Sequence, residues 1–251
     1  MSSIATASLV FVCVFIAALL GLFLRAALPQ HHLSTETKDS VKLAMGLVAT
    51  MAALILGLLV AAAKESYDTK KNETIQIAAK IAFLDRALAH YGPDASGPRA
   101  LLHSTVDRVI ARMWPEIKAT ETQLDPSASG GEGLYEAILN LSPQNDAQRA
   151  LKSQALSGAS DIAQMRWLLY EQSGTSISVP LLVVVVAWLA IIFLSFGLFA
   201  PSNATVIVAL MVAAISVSGA ILLILELDRP FDGLIHISSN PMRIMQSHLG
   251  R

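Results

Sequence analysis

Charge is scarce in this chain. Asp, Glu, Lys and Arg make up 15% of its 251 residues, against about a quarter in soluble domains, so a wholly water-bathed surface is excluded and lipid is implicated. The charge present nearly cancels to −1, which removes the electrostatic basis for binding nucleic acid. Cysteine is almost missing as well. A single Cys13 rules out an internal disulfide, and its place in an apolar run reads as a small packing residue. There is no phosphate-cradling Gly-Lys-Ser/Thr run, no nucleophile elbow, no zinc-binding two-His helix and no paired-Cys motif. His31 and His32 are adjacent, and successive side chains diverge on any regular element, so the pair reads as part of a solvated loop rather than as metal ligands. The sequence therefore gives no catalytic residue, metal site or cofactor, and reads as a non-enzyme.

What is abundant is apolar sequence, 54% of the chain, gathered into four uncharged blocks at residues 4–24, 43–63, 177–199 and 204–225. Each is at least about 20 residues long, enough at 1.5 Å per residue to cross a hydrocarbon core of roughly 30 Å. The expected fold is an all-α membrane protein with four transmembrane helices, two and two around a polar insert. Its divisions are residues 4–63, the first two membrane helices; 64–175, a cytoplasmic helical region; 177–225, the last two membrane helices; and 226–251, an elbow and short terminal helix. Met1-Ser2-Ser3 carries no basic side chain and the run behind it is long, so the first block reads as a retained helix rather than a signal peptide. Arg25, Lys38 and Lys42 flank the membrane on one side. Lys64, Lys70, Lys71, Lys80, Arg166, Arg229 and Arg243 flank it on the other, which predicts both termini and the insert in the cytoplasm.

The insert reads mostly as helix. Ile77, Ile81, Leu84 and Leu88 recur at i, i+4, i+7 and i+11, one apolar stripe. No Gly or Pro interrupts the chain from the second membrane helix to His90, so one helix is expected to run about 40 Å beyond the bilayer until Tyr91-Gly92-Pro93 stops it. A second helix is expected near Ser96 and Pro98, as cap and first turn, with Leu102, Val106, Val109, Ile110 and Met113 on one side, before Pro115. The segment from Pro126 to Gly133 is a flexible loop. Ser142-Pro143 is expected to cap a further helix through Trp167 to Ser173-Gly174. These stripes must be buried, either in a bundle within the chain or against other copies.

The membrane blocks hold no charged residue or His at their centres, which argues against a proton relay or voltage sensor. Thr50, Ser195, Ser216 and Ser218 read as hydrogen-bonded to a preceding turn or a neighbouring helix. Gly46, Gly57, Gly197 and Gly219 read as close-packing points. Leu47, Met51, Leu54 and Leu58 form a heptad-like stripe on the second helix. Two readings stand: ordinary packing or lipid contact, or stacked apolar rings about a symmetry axis that gate a pore by dewetting.

The most specific stretch is the exit from the fourth helix. Glu226 and Asp228 lie at the end of apolar sequence with Arg229 beside them. Pro230 breaks the helix, Phe231 follows, and Asp232-Gly233 favours a turn. Two acids at a helix C-terminus oppose its dipole and call for a cation, for which Arg166 is the candidate. Ser238, Ser239 or Asn240 can cap a last helix opening at Pro241 and showing Ile244, Met245 and Leu249 to a partner surface or the membrane interface. A structural elbow is the simpler reading of this stretch.

These residues carry a resemblance. The second-helix exit Ala63-Lys64-Glu65-Ser66-Tyr67-Asp68, the run from Leu84 to Pro93, Arg166–Gly174, Ser195–Asn203 and Glu226–Pro241 are similar to the bestrophin-like family of bacterial membrane proteins, over nearly the whole chain. That family is related to the bestrophins, pentameric ion channels whose second membrane helix lines the pore and whose layout is two membrane helices, cytoplasmic helices, two more, then an acidic stretch with Pro-Phe. The resemblance implies a homo-oligomer, a pentamer, in a bacterial inner membrane, passing small ions. It does not extend to the bestrophin calcium clasp, because no Asp or Glu follows Asp232, nor to the aromatic neck, which is Leu and Met here. The expectation is an oligomeric ion channel, with a non-conducting anchor that recruits protein partners as the alternative.

Overall fold

The computed structural model describes residues 2–29, 34–114, 131–171, 177–231 and 233–249. His31-His32, Pro115, the Gly-rich stretch at 126–130, Ser173-Gly174 and Asp232 lie outside the described residues. All regular structure among those described is helical: α1 Ser3–Ala27, α2 Thr35–Tyr91, α3 Ser96–Met113, α4 Gly131–Leu139, α5 Asp146–Glu171, α6 Val179–Phe199, α7 Ala204–Leu227 and α8 Asn240–His248. Four of them, α1, α2, α6 and α7, are long and apolar enough to cross a membrane.

Local chemistry sets several helix ends. Ser2 caps α1, its side chain accepting from the Ala5 N–H at 3.2 Å, and Asn203 caps α7 by accepting from Val206 N–H at 2.9 Å. Pro180 sits in the first turn of α6, where its missing N–H has no partner to lose. α2 runs unbroken for 57 residues and stops where the sequence predicts. Gly92 adopts φ +112°, a conformation that a side chain would strain, and a 3-10 turn at Pro93–Ala95 leads into α3.

The chain divides into two compact units, residues 1–66 with 176–228, and residues 67–175 with 229–251; α2 contributes to both. In the first unit, α1 packs along α6 and against α7. Val14, Ala18, Val185, Ala214 and Ile221 are fully buried there. The Arg25 guanidinium donates to the Ala200 carbonyl, tying the end of α1 to the α6–α7 turn.

The second unit is a helical bundle with its own core. Ile77, Ile81, Leu84 and Leu88 of α2 meet Leu102, Val106 and Ile110 of α3, Leu134 and Ile138 of α4, Ile162 and Leu169 of α5, and Met242 and Met245 of α8. The apolar stripe of α2 beyond the membrane is thus covered by its own chain. Asp85 is 5% exposed and is held by Arg99 through two hydrogen bonds of 2.7 and 2.9 Å and by His103 Nε2 at 2.9 Å, which fastens α2 to α3. Its hydrogen bond and charge raise the pKa of Arg99, against a smaller lowering by burial. Lys152 Nζ donates to the carbonyls of Leu139 and Leu141 at 2.7 and 2.8 Å, satisfying acceptors left over at the end of α4.

Four local expectations need correction. Gly131, Glu132 and Gly133, expected in the loop that begins at Pro126, form the first turn of α4 instead. Ser96 is the first residue of α3 rather than its cap. Asn145, not Ser142, caps α5, its side-chain oxygen accepting from the Gln148 N–H at 2.8 Å. On α8, Met245 turns into the core and Leu249 packs against it, leaving Ile244 as the exposed apolar residue.

Candidate functional site

The membrane half of α2 is the least covered of the four spans. Only 11% of its apolar stretch is buried within the chain, against 28–33% for the others. Leu47, Met51, Leu54 and Leu58 are all exposed, the three leucines at 62–66%. The face of α2 turned to α6 and α7 carries Met45 and Ala49 instead. At 100° per residue, the two sets lie about half a turn apart. The stripe therefore forms a continuous apolar row on the side of α2 that its own chain does not cover.

The polar groups beside it are bound locally. Thr50 Oγ1 donates to the Gly46 carbonyl at 2.9 Å, and Ser216 Oγ on α7 donates to the Val212 carbonyl at 2.9 Å, as expected for hydroxyls in a membrane helix. Ser195 and Ser218 are buried, and the Ser218 oxygen has no hydrogen-bond partner among the described residues. The glycines divide. A Cβ on Gly197 would collide with the Ala18 carbonyl and lie 2.9 Å from the Leu22 nitrogen, whereas one on Gly46, Gly57 or Gly219 would meet nothing within 4 Å. Gly197 is a close-packing point; the other three are not, within one chain. Gly21, which sequence reasoning passed over, is Gly197's counterpart.

At the elbow, Glu226 and Asp228 close α7 as buried acids, 5% and 4% exposed, with Arg229 outside and Pro230 buried. The Asp228 N–H, as the C-cap of α7, still donates to the Ile224 carbonyl at 3.1 Å, and Pro230, two residues on, has no N–H with which to continue the helix. The Pro230 carbonyl accepts from the Ile237 N–H at 2.7 Å, closing the loop that holds Gly233. Trp114 pins that loop: its indole N–H donates to the Ile237 carbonyl at 2.7 Å, and its ring meets Phe231 edge-on at 6.2 Å. No sequence pattern marks Trp114 for this role, because its partner is a backbone carbonyl far along the chain.

Arg166 is half-buried on α5. With Arg112, Thr74, Thr105 and apolar residues of α2, α3 and α5 it lines a cavity of about 80 Å³ in the second unit. Burial, and then the charge of Arg112, lower its pKa.

Four apolar spans with a helical bundle inserted between the second and third define a helical membrane protein of bestrophin type. The family model for the bestrophin-like domain matches residues 12–242, and the chain belongs to that family. A crystal structure of a point mutant of a bacterial bestrophin homologue from Klebsiella pneumoniae has the same fold, with a TM-score of 0.67 over 97% of each chain at 14% identity. No curated protein matches the chain.

Proposed function

We propose that the protein is a homo-oligomeric ion channel, a pentamer by family likeness, in which the α2 helices of successive subunits surround an axis and the Leu47–Met51–Leu54–Leu58 row constricts it. The observation that carries this reading is the uncovered apolar row on α2, opposite the face turned to α6 and α7. Stacked about an axis, such rows offer a hydrated ion no oxygen ligand in exchange for its water, so they bar conduction until widened or wetted. The Lys/Arg balance supports a cytoplasmic site for the insert and both termini in a bacterial inner membrane. Shrinking the row tests the reading. Ion flux into liposomes is compared for wild type, Leu54→Ala and Leu58→Ala, each first shown to keep its oligomeric mass, because Leu→Ala also leaves cavities. A rise in flux in either variant supports the constriction; no flux from any of them, under anion and cation gradients alike, contradicts it.

The alternative is a non-conducting anchor that recruits partners. Phe83, Trp167 and Leu168, all more than half exposed on the second unit, favour it. A monomeric particle in detergent would decide for the anchor. At the elbow, we propose that Glu226 pairs with Arg166. Charge reversal at both positions should restore part of the stability that either reversal removes, and a double variant no better than the worse single one would refute it.

A further inference from the structure

Between α2, α6 and α7 runs a crevice of about 560 Å³, within the range of ligand pockets. Met45, Gly46 and Ala49 of α2, Phe196 and Phe199 of α6 and Ala209 of α7 form its walls, and among the described residues Lys42 is the one charged member of its lining. From Lys42 to Ala49 the helix rises about 10 Å, two-thirds of the roughly 15 Å of hydrocarbon in one leaflet. Gly46 leaves room, since a Cβ there would touch nothing within 4 Å. At the same end Ala200 also lines the crevice, and its carbonyl binds the Arg25 guanidinium, so a second cation stands at the mouth. Lys42 lies 3.6 Å from Asp39, but both side chains are 65% exposed, and an exposed pair of this kind is worth little.

The geometry points to a binding site for an anionic phospholipid, one acyl chain lying in the crevice and its phosphate meeting Lys42, with Arg25 adding to the local positive field. A purely apolar crevice would take any lipid tail; the cations at its mouth select the headgroup charge. The site does not depend on whether the chain conducts.

The test uses the full-length protein, delipidated in neutral detergent and titrated with phosphatidylglycerol or phosphatidylcholine while bound lipid is counted by native mass spectrometry. Phosphatidylglycerol should saturate at about one tightly held molecule per chain and be preferred over phosphatidylcholine. Lys42→Gln should weaken it about tenfold, the loss of one charge-assisted contact, and bring the two lipids together. Gly46→Leu and, independently, Ala49→Leu should abolish tight binding by filling the crevice, at unchanged oligomeric mass. Equal binding of both lipids by wild type, or undiminished binding by the filled variants, overturns the proposal. So does a change of oligomeric mass in both filled variants, which would mark the crevice as a contact between subunits.

Discussion

Gly21 of α1 and Gly197 of α6 meet at a helix crossing with no room for a side chain. A Cβ on Gly21 would stand 3.0 Å from the Gly197 Cα and 2.8 Å from the Leu198 nitrogen, and one on Gly197 would stand 2.9 Å from the Leu22 nitrogen. The obstacles are backbone atoms, which cannot swing aside, so the helices must separate to admit even a methyl group.

Gly21→Ala and Gly197→Ala should accordingly each destabilise the membrane unit by about 1–3 kcal/mol, the usual cost of overpacking. Gly46→Ala, with open space at its Cβ, should be neutral or slightly stabilising. Thermal unfolding in detergent orders the three, and a Gly197→Ala variant as stable as Gly46→Ala would refute the close crossing.

Trp114 should prove to be the anchor of the elbow. Trp114→Phe keeps a ring near Phe231 but removes the N–H that satisfies the Ile237 carbonyl. Ile237 is buried, and an orphaned buried acceptor costs about 1–3 kcal/mol. Limited proteolysis between Arg229 and Asn240 should become faster in this variant; an unchanged cleavage rate would show that the loop is held by other contacts.

The α2–α3 junction should depend on Asp85. Asp85→Asn leaves the Arg99 guanidinium without its carboxylate partner. Breaking a buried pair costs about 3–5 kcal/mol, and the partial exposure of Arg99, 23% of its side chain, places the loss nearer 2–3 kcal/mol. Arg99→Gln in the Asp85→Asn background should cost little more, since the pair is already broken. Additive losses measured by thermal denaturation would mean that the two residues act separately.

The spans were legible in the sequence because lipid forbids charge over about 20 residues. The bundle stripe Ile77–Leu88 was legible too, because burying one helix face leaves a periodic mark. Other features left no such mark. α4 is nine residues long and follows glycine-rich sequence, so periodicity had little to work on. Which glycines pack closely depends on the rotation of each helix: Gly197 faces α1, whereas Gly46 faces open space. Asp85 could be seen as part of a family motif, but its bond to Arg99 exists only once α3 folds back on α2. For the site, the Leu47–Leu58 row was visible as a pattern, and its exposure followed only from knowing which face of α2 meets α6 and α7.

The central claim is that this exposed row lines a pore axis, which a smaller and more polar side chain wets, rather than lipid. The most direct measurement is reaction of a charged thiosulfonate reagent with single cysteines, in a Cys13→Ala background, on protein reconstituted in liposomes. Thiols react through the thiolate, which needs water. Leu54→Cys or Leu58→Cys should be labelled, and labelling should change ion flux, while Val12→Cys, exposed on the apolar surface of α1, should stay unlabelled. Leu54→Cys and Leu58→Cys both as inert as Val12→Cys, in oligomers of unchanged mass, would contradict the account and leave α2 facing lipid.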